Sequence, residues 1–211
     1  MKNSLIQEFI RIIFVWLLNL INTTWPGSPE YSSYVDFLRQ MASDGYAPAQ
    51  NEVGVMYEDG FEGSTNYEEA FRWYKLAADQ GYPGAQFNLG LLYLNGTGVS
   101  KDVQMAVKLI RISAEQGNLF AQNYMGIIYG KGIGVEQNEI TASRWFQKAV
   151  NQGCIEAHFN LGLMYNEGRG VEHNPAKALR LFQFAADKGF EPAMKILFEE
   201  CGSEAPKDSR E

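Results

Sequence analysis

Two cysteines and two histidines are all that this 211-residue chain has of the side chains that hold soft metals or pair as nucleophile and base. Cys154 and Cys201 are too few for a disulfide framework, and no Cys-x-x-Cys or Cys/His cluster offers a metal its four ligands. Cations are outnumbered as well: 18 lysines and arginines stand against 25 aspartates and glutamates, a formal charge of −7. That balance repels a phosphate backbone unless the basic residues gather on one face, so nucleic acid is not an expected partner. What the chain does have is apolar material, 45% of its residues, enough for a core.

That material is periodic. Ala49, Ala85, Ala121, Ala157 and Ala193 follow one another at steps of 36 residues, without insertion or deletion. The same step carries Gly54, Gly90, Gly126 and Gly162, then Tyr57, Tyr93, Tyr129 and Tyr165, then Gly60, Gly96, Gly132 and Gly168. A second block runs in phase: Ala70, Ala106, Ala142 and Ala178, the large pairs Trp73/Tyr74, Leu109/Ile110, Trp145/Phe146 and Leu181/Phe182, and closing glycines at 45, 81, 117, 153 and 189.

Each unit therefore has two halves. In the first, Ala85, Leu89 and Leu92/Tyr93 recur at helical spacing and define a helix A. In the second, Asn66, Asp102, Asn138 and Asn174 stand where an N-cap belongs, ahead of a helix B. Glycine takes the left-handed C′ conformation without steric cost, so Gly81 and its equivalents close helix B. The Gly-x-Gly-Val stretches make the turn from A to B. Gly54 and its equivalents lie inside helix A, where close helix approach explains a glycine better than flexibility does. A leading helix B over 31–44, four full units from about 49 to 188 and a trailing helix A over 192–200 are predicted, long enough for neighbours to cover one another's apolar faces.

The run Ala-Gln-Phe-Asn-Leu-Gly-Leu-Leu-Tyr-Leu-Asn-Gly-Thr-Gly-Val over 85–99, with Ala77-Ala78-Asp79-Gln80-Gly81, resembles the Sel-1-like repeat of the tetratricopeptide-type solenoids. The match covers about Tyr34 to Phe198 and departs where Glu62-Gly63 replaces Gly-Val and where Phe198 replaces the helix A glycine. The resemblance implies an all-α fold, a right-handed α-solenoid of helix-turn-helix repeats with a 36-residue period. It further implies a non-catalytic adaptor of the kind found in protein quality control, bacterial signalling and host interaction, or an immunity protein that neutralises a secreted toxin.

Residues 25–201 are thus read as one solenoid domain and 202–211, polar and charged, as a disordered tail. Residues 1–24 carry an apolar segment, 5–21, open to three readings. A secretory signal fits its basic start but lacks a small-x-small cleavage site before Pro26. A membrane anchor is short of the ~20 apolar residues a bilayer wants and contains Glu8, Arg11 and Asn19. A helix capping the end of the solenoid places Ile6, Phe9, Ile10, Ile13, Phe14 and Leu17 on one face, and is the favoured reading. The cap would leave the protein cytoplasmic; a signal or anchor would place it in the periplasm or on a membrane.

Cys154 and His158 share a helical face but have no further ligand or orienting carboxylate, so no catalytic, metal or cofactor residue is assigned. Cys154 at the entry to one helix A and Cys201 near the exit of the next are too far apart in repeat phase to bridge. Arg72, Lys108, Arg144 and Arg180 form a row on helix B, read as a solvated face beside Glu68, Glu69, Asp102 and Glu139.

Positions that vary from unit to unit are free to encode a ligand. By resemblance, helix A lines a concave groove, so its variable residues are the candidate protein- or peptide-binding set: Asn51, Phe87, Asn123 and Phe159, with Val55, Leu91, Ile127 and Leu163. Glu58, Leu94, Gly130 and Asn166 vary as well. Should Phe87 and Phe159 pack between neighbouring A helices, the more exposed Gln50, Gln86, Gln122 and His158 become the better candidates. Apolar patches at either end could instead drive self-association.

Overall fold

A computed structural model of the chain describes residues 29–60 and 63–203. Ten helices follow one another: α1 Pro29–Ser43, α2 Ala47–Asp59, α3 Tyr67–Asp79, α4 Pro83–Asn95, α5 Val103–Glu115, α6 Leu119–Lys131, α7 Glu139–Asn151, α8 Ile155–Glu167, α9 Pro175–Asp187 and α10 Glu191–Ser203. They alternate strictly as B and A elements and stack into a right-handed solenoid. The leading helix starts at Pro29 rather than 31, and the trailing one runs through Gly202 and Ser203, where the tail was expected to begin. The expected N-terminal segment 1–24, with its apolar stretch 5–21, and the rest of the tail lie outside the described residues, as does Glu62. Among the described residues no helix is long and apolar enough to cross a membrane.

The helix boundaries follow from the capping residues. Asn66, Asp102, Asn138 and Asn174 each accept a hydrogen bond on Oδ1 from the backbone N–H three residues on, at 3.1, 2.9, 2.8 and 2.9 Å. Their own backbone N–H groups donate to Tyr57, Tyr93, Tyr129 and Tyr165, so the last turn of each A helix holds the first residue of its B helix. At the other end of helix B, Gly81 has φ of 85° and the Tyr82 N–H reaches back to the Ala77 carbonyl at 3.1 Å, the six-to-one bond that completes a left-handed C-terminus.

Within each hairpin the alanines form the spine: Ala49, Ala85, Ala121, Ala157 and Ala193 are wholly buried. The A-helix glycine lets the two helices touch. A Cβ on Gly54, Gly90, Gly126 or Gly162 would come within 2.5 to 2.6 Å of Tyr74, Ile110, Phe146 or Phe182 of the paired B helix. Each hairpin then joins the next A helix in one apolar cluster, as Ala70, Tyr74 and Ala77 of α3 do with Ala85, Leu89 and Leu92 of α4. Phe198 shows the same rule in reverse. It occupies the glycine position of α10, no B helix follows among the described residues, and it is 80% exposed.

Candidate functional site

Cys154 and His158 do not form a reactive pair. The His158 Nδ1–H donates to the Cys154 backbone carbonyl at 2.7 Å, not to the thiol, and its ring stacks on Phe184 at 3.8 Å. Burial pushes the Cys154 thiol up to about 11, and the nearby Glu156 carboxylate adds to the rise. No group of three or more His, Cys, Asp or Glu among the described residues is arranged to hold a metal. The basic row is solvent-exposed along its length, with Arg72 paired to Glu69 at 2.6 Å.

The expectation that Gln50, Gln86, Gln122 and His158 are the more exposed residues of helix A is overturned. They are 4, 6, 6 and 7% exposed. The cause is a clasp within each hairpin: the side-chain amides of Gln80, Gln116 and Gln152, at the C-termini of the B helices, donate to Gln50, Gln86 and Gln122 Oε1 of the paired A helices at 2.7, 2.8 and 2.8 Å. Gln50 and Gln122 spend their own N–H on the carbonyls of Ala42 and Ala114, both at 3.1 Å. An amide with donor and acceptor both committed inside the protein holds repeats together and has little left to offer a partner. The signal was present in sequence, since Gln80, Gln116 and Gln152 recur in phase with the first set, but only packing shows that residues 30 apart meet.

The variable positions one residue further on behave differently. They meet the next A helix across 37 residues, in alternation. Asn88 donates to Asn51 Oδ1 at 3.1 Å, the Phe87 and Tyr124 rings sit edge to face at 5.9 Å, and Asn160 donates to Asn123 Oδ1 at 3.0 Å. Phe159 turns instead to Phe182 and Phe190, at 5.8 and 5.3 Å. Neighbouring A helices therefore touch one another directly along this side. Asn51 is buried; Phe87, Asn123 and Phe159 are half-buried. Glu52, beside the first of these pairs, has its carboxyl raised by burial, partly opposed by a hydrogen bond from Asn51 at 3.2 Å.

Val55, Leu91, Ile127 and Leu163 form a second row, half-buried, each against the cluster of its own B helix and the next A helix. The third row is uneven. Glu58 accepts a hydrogen bond from Tyr74 Oη at 2.6 Å, and burial, reinforced by that bond, raises the Tyr74 phenol; Leu94 is packed away; Gly130 presents no side chain.

The Sel1 repeat model matches residues 47–82, 83–118, 119–154 and 155–190, consecutively and without gaps. Among solved structures, a protective antigen of uropathogenic Escherichia coli is 39% identical with a TM-score of 0.69, over 75% of this chain and 34% of its own. A Sel1 repeat protein from Oxalobacter formigenes is 36% identical with a TM-score of 0.65, over 79% of this chain and 62% of its own. The chain thus spans about a third of the first and less than two thirds of the second. An immunity protein from Pseudomonas aeruginosa shares the fold at 19% identity, with a TM-score of 0.60 over 85% of this chain and 66% of its own. Nothing among curated proteins matches. Four contiguous repeats in register, built into the solenoid those neighbours share, make this chain a member of the Sel1 repeat family.

Proposed function

We propose that the protein is a non-catalytic scaffold that binds a partner protein or peptide along the inner face of its A helices. One observation carries the reading: residues that repeat identically are consumed by packing, whereas the half-buried row Phe87, Asn123, Phe159 changes chemistry from unit to unit, beside a half-buried row, Val55, Leu91, Ile127, Leu163, that stays aliphatic but varies in shape. A surface of that kind suits an extended segment, with a few apolar anchors supplying most of the binding energy.

A second reading, a dedicated inhibitor of one toxin, draws on the fold shared with the Pseudomonas aeruginosa immunity proteins. The two readings differ in partner number. Purification from the source cells by a C-terminal tag is expected to yield several substoichiometric partners for an adaptor and one stoichiometric effector for an inhibitor. Leu91→Arg and Ile127→Arg should weaken that capture and Lys108→Glu, on the outer face, should not. Equal capture by all three would remove the groove from consideration.

A further inference from the structure

The third row of the groove contains a break. In the first repeat Glu58 leans over Tyr74, and in the second Leu94 is packed to 9% exposure at the same position. In the third, Gly130 leaves that place empty, and an open cavity of about 210 Å³ lies there. Its floor is apolar: Phe146 and Ala142 of α7, Ile127 of α6, and Leu163 and Met164 of α8. Gly130 differs from the packing glycine one turn earlier. A Cβ on Gly126 would strike the Phe146 ring at 2.5 Å, but one on Gly130 would meet only the Ala142 methyl, at an ordinary 3.7 Å. Space for a side chain is present and the chain does not fill it. For scale, an apolar cavity of about 150 Å³ accommodates benzene.

Charge at the rim is also unbalanced. Arg169 is engaged by Glu139, at 3.6 Å, and by Glu167. Lys131 is exposed and has no carboxylate partner among the described residues. It sits at the mouth of the cavity.

We infer that this cavity, between the third and fourth repeats, is the anchor pocket of the groove, taking one phenylalanine or leucine side chain from an extended partner segment with an aspartate or glutamate beside it. The inference rests on the groove reading above and narrows it to one place and one partner chemistry. The anchor would cover the five apolar floor residues, and the acidic neighbour would meet the Lys131 ammonium.

The test uses the isotopically labelled full chain and a capped nonapeptide, Gly-Ser-Gly-Asp-Phe-Asp-Gly-Ser-Gly, followed by amide chemical shifts. The expected result is saturable shifts at residues 126–131 and 160–169. Binding should be about tenfold weaker when the central phenylalanine is alanine. Gly130→Leu, which fills the pocket from within, should abolish the shifts. Lys131→Glu, a surface change that keeps the test alive if Gly130→Leu fails to fold, should move the preference to the peptide with lysines in place of aspartates. Shifts confined to 51–91 would overturn the pocket and leave the groove standing. Shifts that persist in Gly130→Leu, or ignore the flanking charge in both wild type and Lys131→Glu, would overturn it too, as would a wild type that dimerises where Gly130→Leu does not. No response to any peptide, alongside tag capture still sensitive to Ile127→Arg, would overturn the pocket chemistry alone; loss of both would remove the groove with it.

Discussion

The side-chain amide of Gln152 donates to Gln122 Oε1 at 2.8 Å across 30 residues, and in the following repeat the same two positions are Lys188 and His158. There the clasp is replaced by aromatic stacking of His158 on Phe184, with Lys188 Nζ 6.0 Å above the same Phe184 ring. One structural site, holding the end of a B helix to the start of an earlier A helix, is thus built from two chemistries.

Because Gln122 is buried and bonded at both ends, Gln122→Ala should remove both hydrogen bonds while the Gln152 amide keeps the Gly117 carbonyl and the Ala114 carbonyl keeps the Gly117 N–H, and so cost about 0.5–1.5 kcal/mol. Urea denaturation of the variant against wild type measures this. A loss near zero would mean that the clasp is solvated.

Two glycines one turn apart should respond with opposite sign. Gly126→Ala forces a methyl into the Phe146 ring and is expected to destabilise by about 1–3 kcal/mol. Gly130→Ala has room and should stabilise by about 0.5 kcal/mol through helix propensity. Thermal melting of the pair checks both.

Cys154 should be inert in the native protein. With its thiol held up at about 11, iodoacetamide at pH 8 should modify it about 100-fold more slowly than in urea, as peptide mapping would show. The raised value also implies a pH dependence. Between about pH 9 and 11 the unfolded chain gives up this proton and the folded one retains it, so stability falls as pH rises through that window. Cys154→Ala should lack that part of the loss, up to about 2 kcal/mol.

Asn138→Ala removes the acceptor for the Thr141 N–H at the start of α7 and should cost about 1 kcal/mol, whereas Asn138→Asp should keep most of it. Chemical denaturation of both variants distinguishes capping from a general effect of replacing Asn138.

The helices, their caps and their order were legible because each depends on local chemistry: an Asn or Asp before a helical run, a glycine after it, and alanines in phase. Even the A-helix glycines announce a close approach, since a repeated glycine in a helix interior needs a reason. The groove was less legible. Gln50, Gln86 and Gln122 look like surface residues by type, and only their partners at 80, 116 and 152 make them interior. In the same way Asn51 meets Asn88, and Phe87 meets Tyr124, through stacking that no single repeat contains.

By itself, then, the sequence determined the repeat, its period, the helical hairpin and the family, because hydrophobic phase and capping act within a few residues. The tertiary structure decided which polar side chains are used up within and between hairpins, which variable residues stay half-buried, and that the missing side chain of Gly130 opens a cavity while that of Gly126 does not. Those outcomes depend on distances between helices, from 12 residues apart for Gly130 and Ala142 to 37 for Asn51 and Asn88, set by how the hairpins pack and stack.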